Sequence, residues 1–324
     1  MADESDLICA FIFDGKGGGK AMDWPDIRAW RPEDGPLWVH LDFKGANARR
    51  WLAEESGIDE VTQSALLESV VRPRVMHENG RLFVSLRAIN LNPGADATDM
   101  VSLRMLASAQ RIVTLRHRRL MAVSDLRDAV ARGTGPKNAG EFLAAIAVGI
   151  ADRIAPVVDE IDDRIDGLEE EVLTAHSTHL RSLIGDVRRD AIALRRYLAP
   201  QRDVMGRLAM EQADWLSMPR RALIREVADR TTRFVEDLDS GRERAQVVQD
   251  ELNNRVADQM NRTMYLLTVV AAILLPPSLL TGLLGINVGG MPGVDSGWAF
   301  AIVALAIPVV AVTEFVVLRK LKWI

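Results

Sequence analysis

Apolar and polar positions change rhythm twice along this chain. Up to residue 120 the apolar positions come in short runs, at 7–13, 37–42, 81–91, 100–106 and 111–116. These runs are rich in β-branched and aromatic residues and end at Gly, Pro, Asn or Asp, which predicts strands. Helices are expected between them at 47–56 and 60–69. From Gly140 the period lengthens to that of a helix. One helix is expected over 141–173, with Pro156 as a kink, and a turn at 174–178 leads into a second. A third is expected to start at Ser217 or Met218, with Pro219 in its first turn. Apart from Gly241 and the pair Pro276–Pro277, nothing stops it before Leu284, which would make it about 100 Å long. Ile224, Thr231, Leu238, Ala245 and Leu252 recur every seven residues, with Val227, Phe234, Gly241 and Val248 between them. That is a coiled-coil-like seam, and it suggests an oligomer around an axis.

The last change of rhythm is the most informative. Residues 263–284 and 298–318 are apolar runs with one charge between them, Glu314, and a charge-poor loop at 285–297. Each is long enough to cross a bilayer, which takes about 20 residues. A buried core helix is the alternative for one such run, but not for two in succession followed by basic residues. The expected architecture is an α/β cytoplasmic domain (1–139), a cytoplasmic helical hairpin and stalk (140–262), and a transmembrane hairpin with a basic C-terminal tail (263–324).

Charge sets the orientation. Arg255 and Arg262 precede the first run, and Arg319, Lys320 and Lys322 follow the second, while the loop between has no Lys or Arg. Positive residues stay cytoplasmic, so both termini are expected inside. The net charge of −5 excludes nucleic acid as the main partner. A single cysteine, Cys9, allows neither an internal disulfide nor a thiolate metal cluster, and it points to a reducing compartment. No signal peptide is expected, since 1–6 is acidic and 7–13 is too short.

Within the helical region, Asp159, Glu160, Asp162, Asp163, Asp166, Glu169, Glu170 and Glu171 crowd the first helix. Arg181, Arg188, Arg189, Arg195, Arg196 and Arg202 mark the second. The pattern predicts an antiparallel hairpin held partly by its own field; two solvated faces are the plainer alternative.

Candidate chemistry is sparse. The stretch GKGGGK at 15–20 fails as a phosphate loop, because Asp14 and Ala21 stand where Gly and Ser or Thr are needed, and it is expected to be a flexible turn. His176 and His179 have the i, i+3 spacing of a helical metal pair, though polar turn residues are the simpler reading. His40, His77 and His117 are isolated. Glu314 could carry protons, but it sits near the basic end and can snorkel to the interface. No catalytic constellation is present, so an enzyme is not expected.

The first run ends LLPPSLLTGLLGINVGGMPG, with Gly285-Ile286-Asn287 at the membrane exit and Met291-Pro292 after it. This resembles the CorA superfamily of divalent-cation transporters, whose signature there is Gly-Met-Asn, commonly followed by Met-Pro. Trp38-Val39-His40-Leu41-Asp42, Arg72-Pro73-Arg74, the EIDDRIDGLEEEV helix, Arg195 to Pro200 and Lys322-Trp323-Ile324 extend the resemblance over most of the chain. Ile286 departs from the usual Met, and the loop VGGMPGVDSG lacks the Glu that often follows Met-Pro, Asp295 being its only acid. GINVGGMPG therefore looks most like the ZntB zinc-transporter branch. The resemblance implies a CorA-like funnel, a homopentamer in the bacterial inner membrane, and a pore lined by the first span.

Stepping back from Asn287 along that span places Leu284, Ser278, Leu275, Ala271, Leu267, Met264 and Asn261 on the expected pore face, with Gly285, Ile286 and Asn287 as the selectivity segment; packing against neighbouring helices is the plainer use of any one of them. Five neutral Asn carbonyls could accept hydrogen bonds from the water around a divalent cation without trapping it. The expected function is transport of divalent cations, with Zn2+ preferred, proton coupling left open and no cofactor. Mg2+, Co2+, Ni2+ and Cd2+ are the other candidate cargoes. Alternatives are a CorA-type magnesium or cobalt channel and, in another class, a two-span membrane sensor or scaffold without transport.

Overall fold

The computed structural model describes residues 6–68, 72–78, 80–174, 178–285, 293 and 295–320. The chain divides into two compact units, Met1–Gln249 and Asp250–Ile324.

The first unit is built on a seven-stranded sheet of β1 (Leu7–Phe13), β2 (Gly19–Ala21), β3 (Leu37–Asp42), β4 (Arg74–Glu78), β5 (Arg81–Ala88), β6 (Val101–Ala107) and β7 (Arg111–Arg116). Their order is β2-β1-β3-β7-β6-β5-β4. Only the β3–β7 pair is parallel, with Leu37 opposite Arg111 and Asp42 opposite Arg116. Strand β3 is buried on both faces, and it reads accordingly as a continuous apolar run rather than an alternation. Leu37, Val39 and Leu41 face a core shared with Val113, Leu115, Phe83 and Leu106. That core is closed by Ala48 of α2 (Ala46–Arg50), Trp51 and Leu52 of the π-helical turn Trp51–Glu55, and Leu66 of α3 (Glu60–Leu67). On the opposite face the Trp38 ring lies 4.9 Å from Phe142.

The strands expected at 7–13, 37–42 and 111–116 appear with those bounds, and the other two within a few residues. The helix expected at 47–56 is instead one short α-turn followed by the π-turn, in which Ser56 N–H reaches back five residues to the Trp51 carbonyl at 2.8 Å. The glycine-rich turn is not loose. The Asp14 carboxylate accepts the N–H groups of Lys16, Gly17 and Gly18 at 2.7–3.0 Å. The anion cradle such a loop could offer is thus filled by the chain's own carboxylate, and Gly19 then enters β2. Gly17 has φ 117°, and a Cβ there would meet the Gly133 carbonyl at 2.9 Å, so only glycine fits. Two further helices complete the region: α1 (Trp24–Ala29), capped by Asp23 with Asp26, and α4 (Met121–Ala131).

Three long helices follow: α5 (Ala139–Thr174), α6 (Thr178–Met210) and α7 (Met218–Leu284). Ion pairs fix their directions. Arg220–Glu141, Arg230–Asp152 and Arg244–Asp162 join α7 to α5 at a nearly constant sequence offset, so these helices run parallel. Arg164–Asp190 and Arg195–Asp239 place α6 antiparallel between them. Part of the negative charge of α5 is met by α7. Arg244 of α7 holds Asp162, Asp166 and Glu169 together, and the α5–α6 pair Arg164–Asp190 has the reverse polarity. The heptad seam is also corrected. Ile224, Val227, Thr231, Phe234, Leu238, Ala245, Val248 and Leu252 are all buried within one chain. A Cβ at Gly241 would meet Ile165 Cδ1 at 2.8 Å, so the seam packs on α5. It closes the protomer and does not by itself require a second copy.

The second unit holds the remainder of α7 and α8 (Ala299–Lys320). Both contain a stretch long and apolar enough to cross a membrane, and neither stretch is buried.

Candidate ion-conduction site

Helix α7 continues without a break through Pro276 and Pro277 to Leu284. At about 100° per residue, Asn261, Met264, Leu267, Ala271, Leu275 and Ser278 fall within an arc of about 120°. All are exposed in the protomer. Leu284, expected on this face, leaves it: it is six residues beyond Ser278 and so about 120° round the helix from it. Gly282 and Gly285 take its place. A strict count of the helical period would have found Gly282, since the residues are four apart. The stripe thus runs from an amide through apolar side chains to a hydroxyl and then to two bare backbone positions. Ile286 and Asn287 lie outside the described residues. Gly285 is the last turn of the helix, its N–H reaching the carbonyls of Thr281 at 2.9 Å and Gly282 at 3.2 Å.

The polar groups within the apolar runs are largely satisfied from inside the helix. Thr263, Thr268 and Thr313 hydroxyls donate to the carbonyl four residues back at 2.7–2.9 Å, and Thr281 to that of Ser278 at 3.0 Å. This removes the cost of a bare hydroxyl in hydrocarbon. The proline pair does the opposite. It withholds the two N–H donors that would reach the Ala272 and Ile273 carbonyls, so this turn lacks two helical hydrogen bonds.

Among the described residues the histidines do not gather into a metal site. His176 lies outside the described residues, and His179 is exposed on the first turn of α6. His40 Nδ1 is 2.9 Å from Thr114 Oγ1, which also accepts from Trp38 Nε1 and donates to the Val39 carbonyl. The single hydroxyl proton goes to Val39, so in the contact with His40 the oxygen accepts and Nδ1 carries the proton. Burial, reinforced by Arg116, pushes His40 down to about 3, so it is neutral and structural. His77 pairs with Glu211 at 3.1 Å. Among the described residues no group of three or more His, Cys, Asp or Glu could hold a metal ion. The acids on the α5–α7 surface act as a field instead. Partial burial pushes the Asp237 carboxyl up, and Asp162, Glu236 and Asp159 add to it. Such a cluster attracts cations without a defined coordination shell. Asp295 and Glu314 are both described, and Asp295 is exposed.

With this geometry in place, known proteins sharpen the picture. Residues 33–320 match the CorA-like Mg2+ transporter protein family. A divalent cation transporter, CmaX, of Pseudomonas aeruginosa is 40% identical over 99% of this chain and 98% of its own length. The zinc transport protein ZntB of Yersinia enterocolitica is 34% identical over 99% of this chain and 97% of its own. A solved structure of full-length CmaX superposes with a TM-score of 0.86 at 39% identity, covering 99% of both chains. The chain belongs to the CorA-like Mg2+ transporter family, and it is a membrane transporter of divalent cations rather than an enzyme.

Proposed function

We propose that this chain is the protomer of a homopentameric, inner-membrane zinc transporter whose pore is lined by the α7 stripe and closed outside by Gly285, Ile286 and Asn287. The observation that carries this reading is the bare stripe itself. It lines a continuous helix, lacks any intramolecular cover, and places small or polar groups at both ends of an apolar stretch. In a ring of five, Asn261 and Ser278 bracket an apolar constriction that gates by dewetting, and Asn287 meets the hydrated ion with neutral carbonyls. Divalent ions give up water reluctantly, and an uncharged ring binds them weakly enough to let go. Acids on α5 and α7 raise the local cation concentration on the cytoplasmic side, and Asp295 does so outside. Zinc is supported by the ZntB relative and by the signature Gly285-Ile286-Asn287. Residues 1–139 and 140–262 are then the cytoplasmic domain and stalk, and 263–324 the membrane hairpin.

A second cargo reading, magnesium or cobalt, is favoured by the description of the family and by the broader name of CmaX. Flux into proteoliposomes, with zinc and magnesium compared at two pH gradients, separates the readings. Zinc flux that rises with an inward proton gradient supports coupled zinc uptake. Magnesium flux without zinc flux overturns the cargo. Asn287→Leu is expected to abolish flux in verified pentamers, and wild-type conduction in that variant removes Asn287 from the pore mouth. For orientation, Ser296→Cys in a Cys9→Ser background is expected to react with an impermeant thiol reagent on intact cells.

A further inference from the structure

The two apolar runs that end the chain contain two ionisable side chains, Tyr265 on α7 and Glu314 on α8, and the expected pore stripe uses neither. Along α8 the partly covered positions are Val303, Ile307, Val310, Ala311, Glu314 and Leu318. They recur mostly at three and four residues and so form one stripe, with Glu314 on it. Along the apolar part of α7 the partly covered positions are Val269, Ala272, Ile273, Pro276 and Pro277. Among the described residues of this unit α7 and α8 are the only helices, so the two stripes cover each other. At about 100° per residue, the α7 stripe is centred about 170° from the one that runs from Met264 to Ser278. Glu314 therefore meets the side of α7 that is turned away from the stripe proposed to line the pore.

Snorkelling to the basic end, open from the sequence, is opposed by the direction of the side chain. Cα–Cβ bonds of a helix tilt toward its N-terminus, and the basic end of α8 is its C-terminus. Glu314 thus starts out toward the middle of the span, from a Cα already about 7.5 Å short of Arg319. Arg319 and Lys320 follow at five and six residues, about 140° and 120° round the helix, outside the spacing at which helical side chains meet. From α7, Tyr265 lies one turn before Val269, and Arg262 lies about two turns before it and is exposed. Glu314 Oε2 is buried and has no hydrogen-bond partner. A carboxylate there would hold its charge in apolar surroundings with neither water nor a donor on that oxygen. The acid form removes the charge and leaves one O–H to satisfy.

We propose that Glu314 is a proton-binding site inside the bilayer, a carboxyl held in its acid form between α7 and α8 that exchanges its proton with water when the two helices part. The site rests on α8 spanning a membrane, and it is independent of the cation carried and of the number of subunits. Because the body of α7 lies between Glu314 and the stripe proposed to line the pore, proton and cation do not compete for one set of ligands.

The test uses the full chain in lipid nanodiscs at neutral pH. Dicyclohexylcarbodiimide, an apolar reagent, reacts with a carboxyl that carries its proton: the proton passes to a carbodiimide nitrogen and the carboxyl oxygen adds to the central carbon. Peptide mass spectrometry is expected to place this adduct on Glu314. A water-soluble carbodiimide is expected to label exposed acids such as Asp295 and to spare Glu314. Infrared difference spectra between about pH 6 and about pH 9 read the exchange. A protonated-carboxyl C=O band, missing from Glu314→Gln, is expected at the lower pH and lost at the higher. No dicyclohexylcarbodiimide adduct on wild-type Glu314 overturns the proposal, and so does equal labelling by both reagents, which would place the carboxyl in water. A carboxyl band that Glu314→Gln leaves in place, or one that persists unchanged at the higher pH, overturns it as well.

Discussion

The two parts of α7 carry similar apolar stripes and meet opposite fates. From Ile224 to Leu252 the stripe is covered by its own chain, with Leu238 at 0% exposure. From Val256 onward it is bare, with Met264 at 61%, Leu267 at 66% and Leu275 at 65%. One helix thus contains a folding seam and then a surface that the protomer leaves uncovered. An exposed apolar surface of that extent needs lipid or another protein. The difference teaches that helical periodicity reports only that a face is apolar, while what covers it depends on which helices return alongside. Helix α5 lies alongside at Gly241 and Arg244, through Ile165 and the carboxylates of Asp162, Asp166 and Glu169.

The sharpest way to break this comparison is cross-linking. In a Cys9→Ser background, Met264→Cys and Leu267→Cys are expected to give an inter-subunit ladder ending at the pentamer, whereas Val248→Cys gives none. A ladder from Val248→Cys would mean that the covered seam is an assembly surface after all. Next in size is a charge placed in each part. Leu238→Asp buries an unpaired carboxylate and is expected to cost about 4 kcal/mol or more, read as loss of cooperative urea unfolding. Leu267→Asp should leave the soluble unit folded and change only transport. Gly241→Val tests the close approach itself. Its branches would press on Ile165, and the expected cost is about 1–3 kcal/mol, partly recovered by adding Ile165→Ala; no recovery would place the strain elsewhere.

The smallest effect is that of Arg244→Met, less than about 1 kcal/mol because the network is exposed. Its pH dependence is diagnostic. Hydrogen bonds from Arg244 hold the Glu169 carboxyl below its usual range. The stability this adds is present above the unfolded carboxylate pKa of about 4.3 and is lost as pH falls through the lower folded value. Wild type should therefore exceed the variant in Tm at pH 7, and the gap should close as pH falls below the lowered folded value of Glu169.

Legibility in the sequence follows the same division. Strands β1, β3 and β7 were readable because apolar runs bounded by breakers are local signals. Strands β2 and β4 were not: Gly-Lys-Ala and Arg-Val-Met-His-Glu are edge segments, and only pairing with β1 and β5 makes them strands. Helix α1 was overlooked although Asp23, Pro25 and Asp26 carry its start signal. At the candidate site, the stripe from Asn261 to Ser278 followed from spacing. Leu284 was misplaced because a step of six residues is not a helical repeat.

The order of residues alone determined the two membrane-length runs, the family signature at Gly285-Ile286-Asn287, the charge asymmetry around the loop and the helical period of the last two-thirds of the chain. These are properties of composition and short spacing, which any window of the chain displays. Only the tertiary structure decided that Arg244 of α7 gathers Asp162, Asp166 and Glu169 of α5, that Asp14 fills its own glycine-rich loop, and that the heptad seam is covered inside the protomer. Each depends on which distant segments lie side by side, and burial and ion pairing are set by those neighbours rather than by the residue's own type.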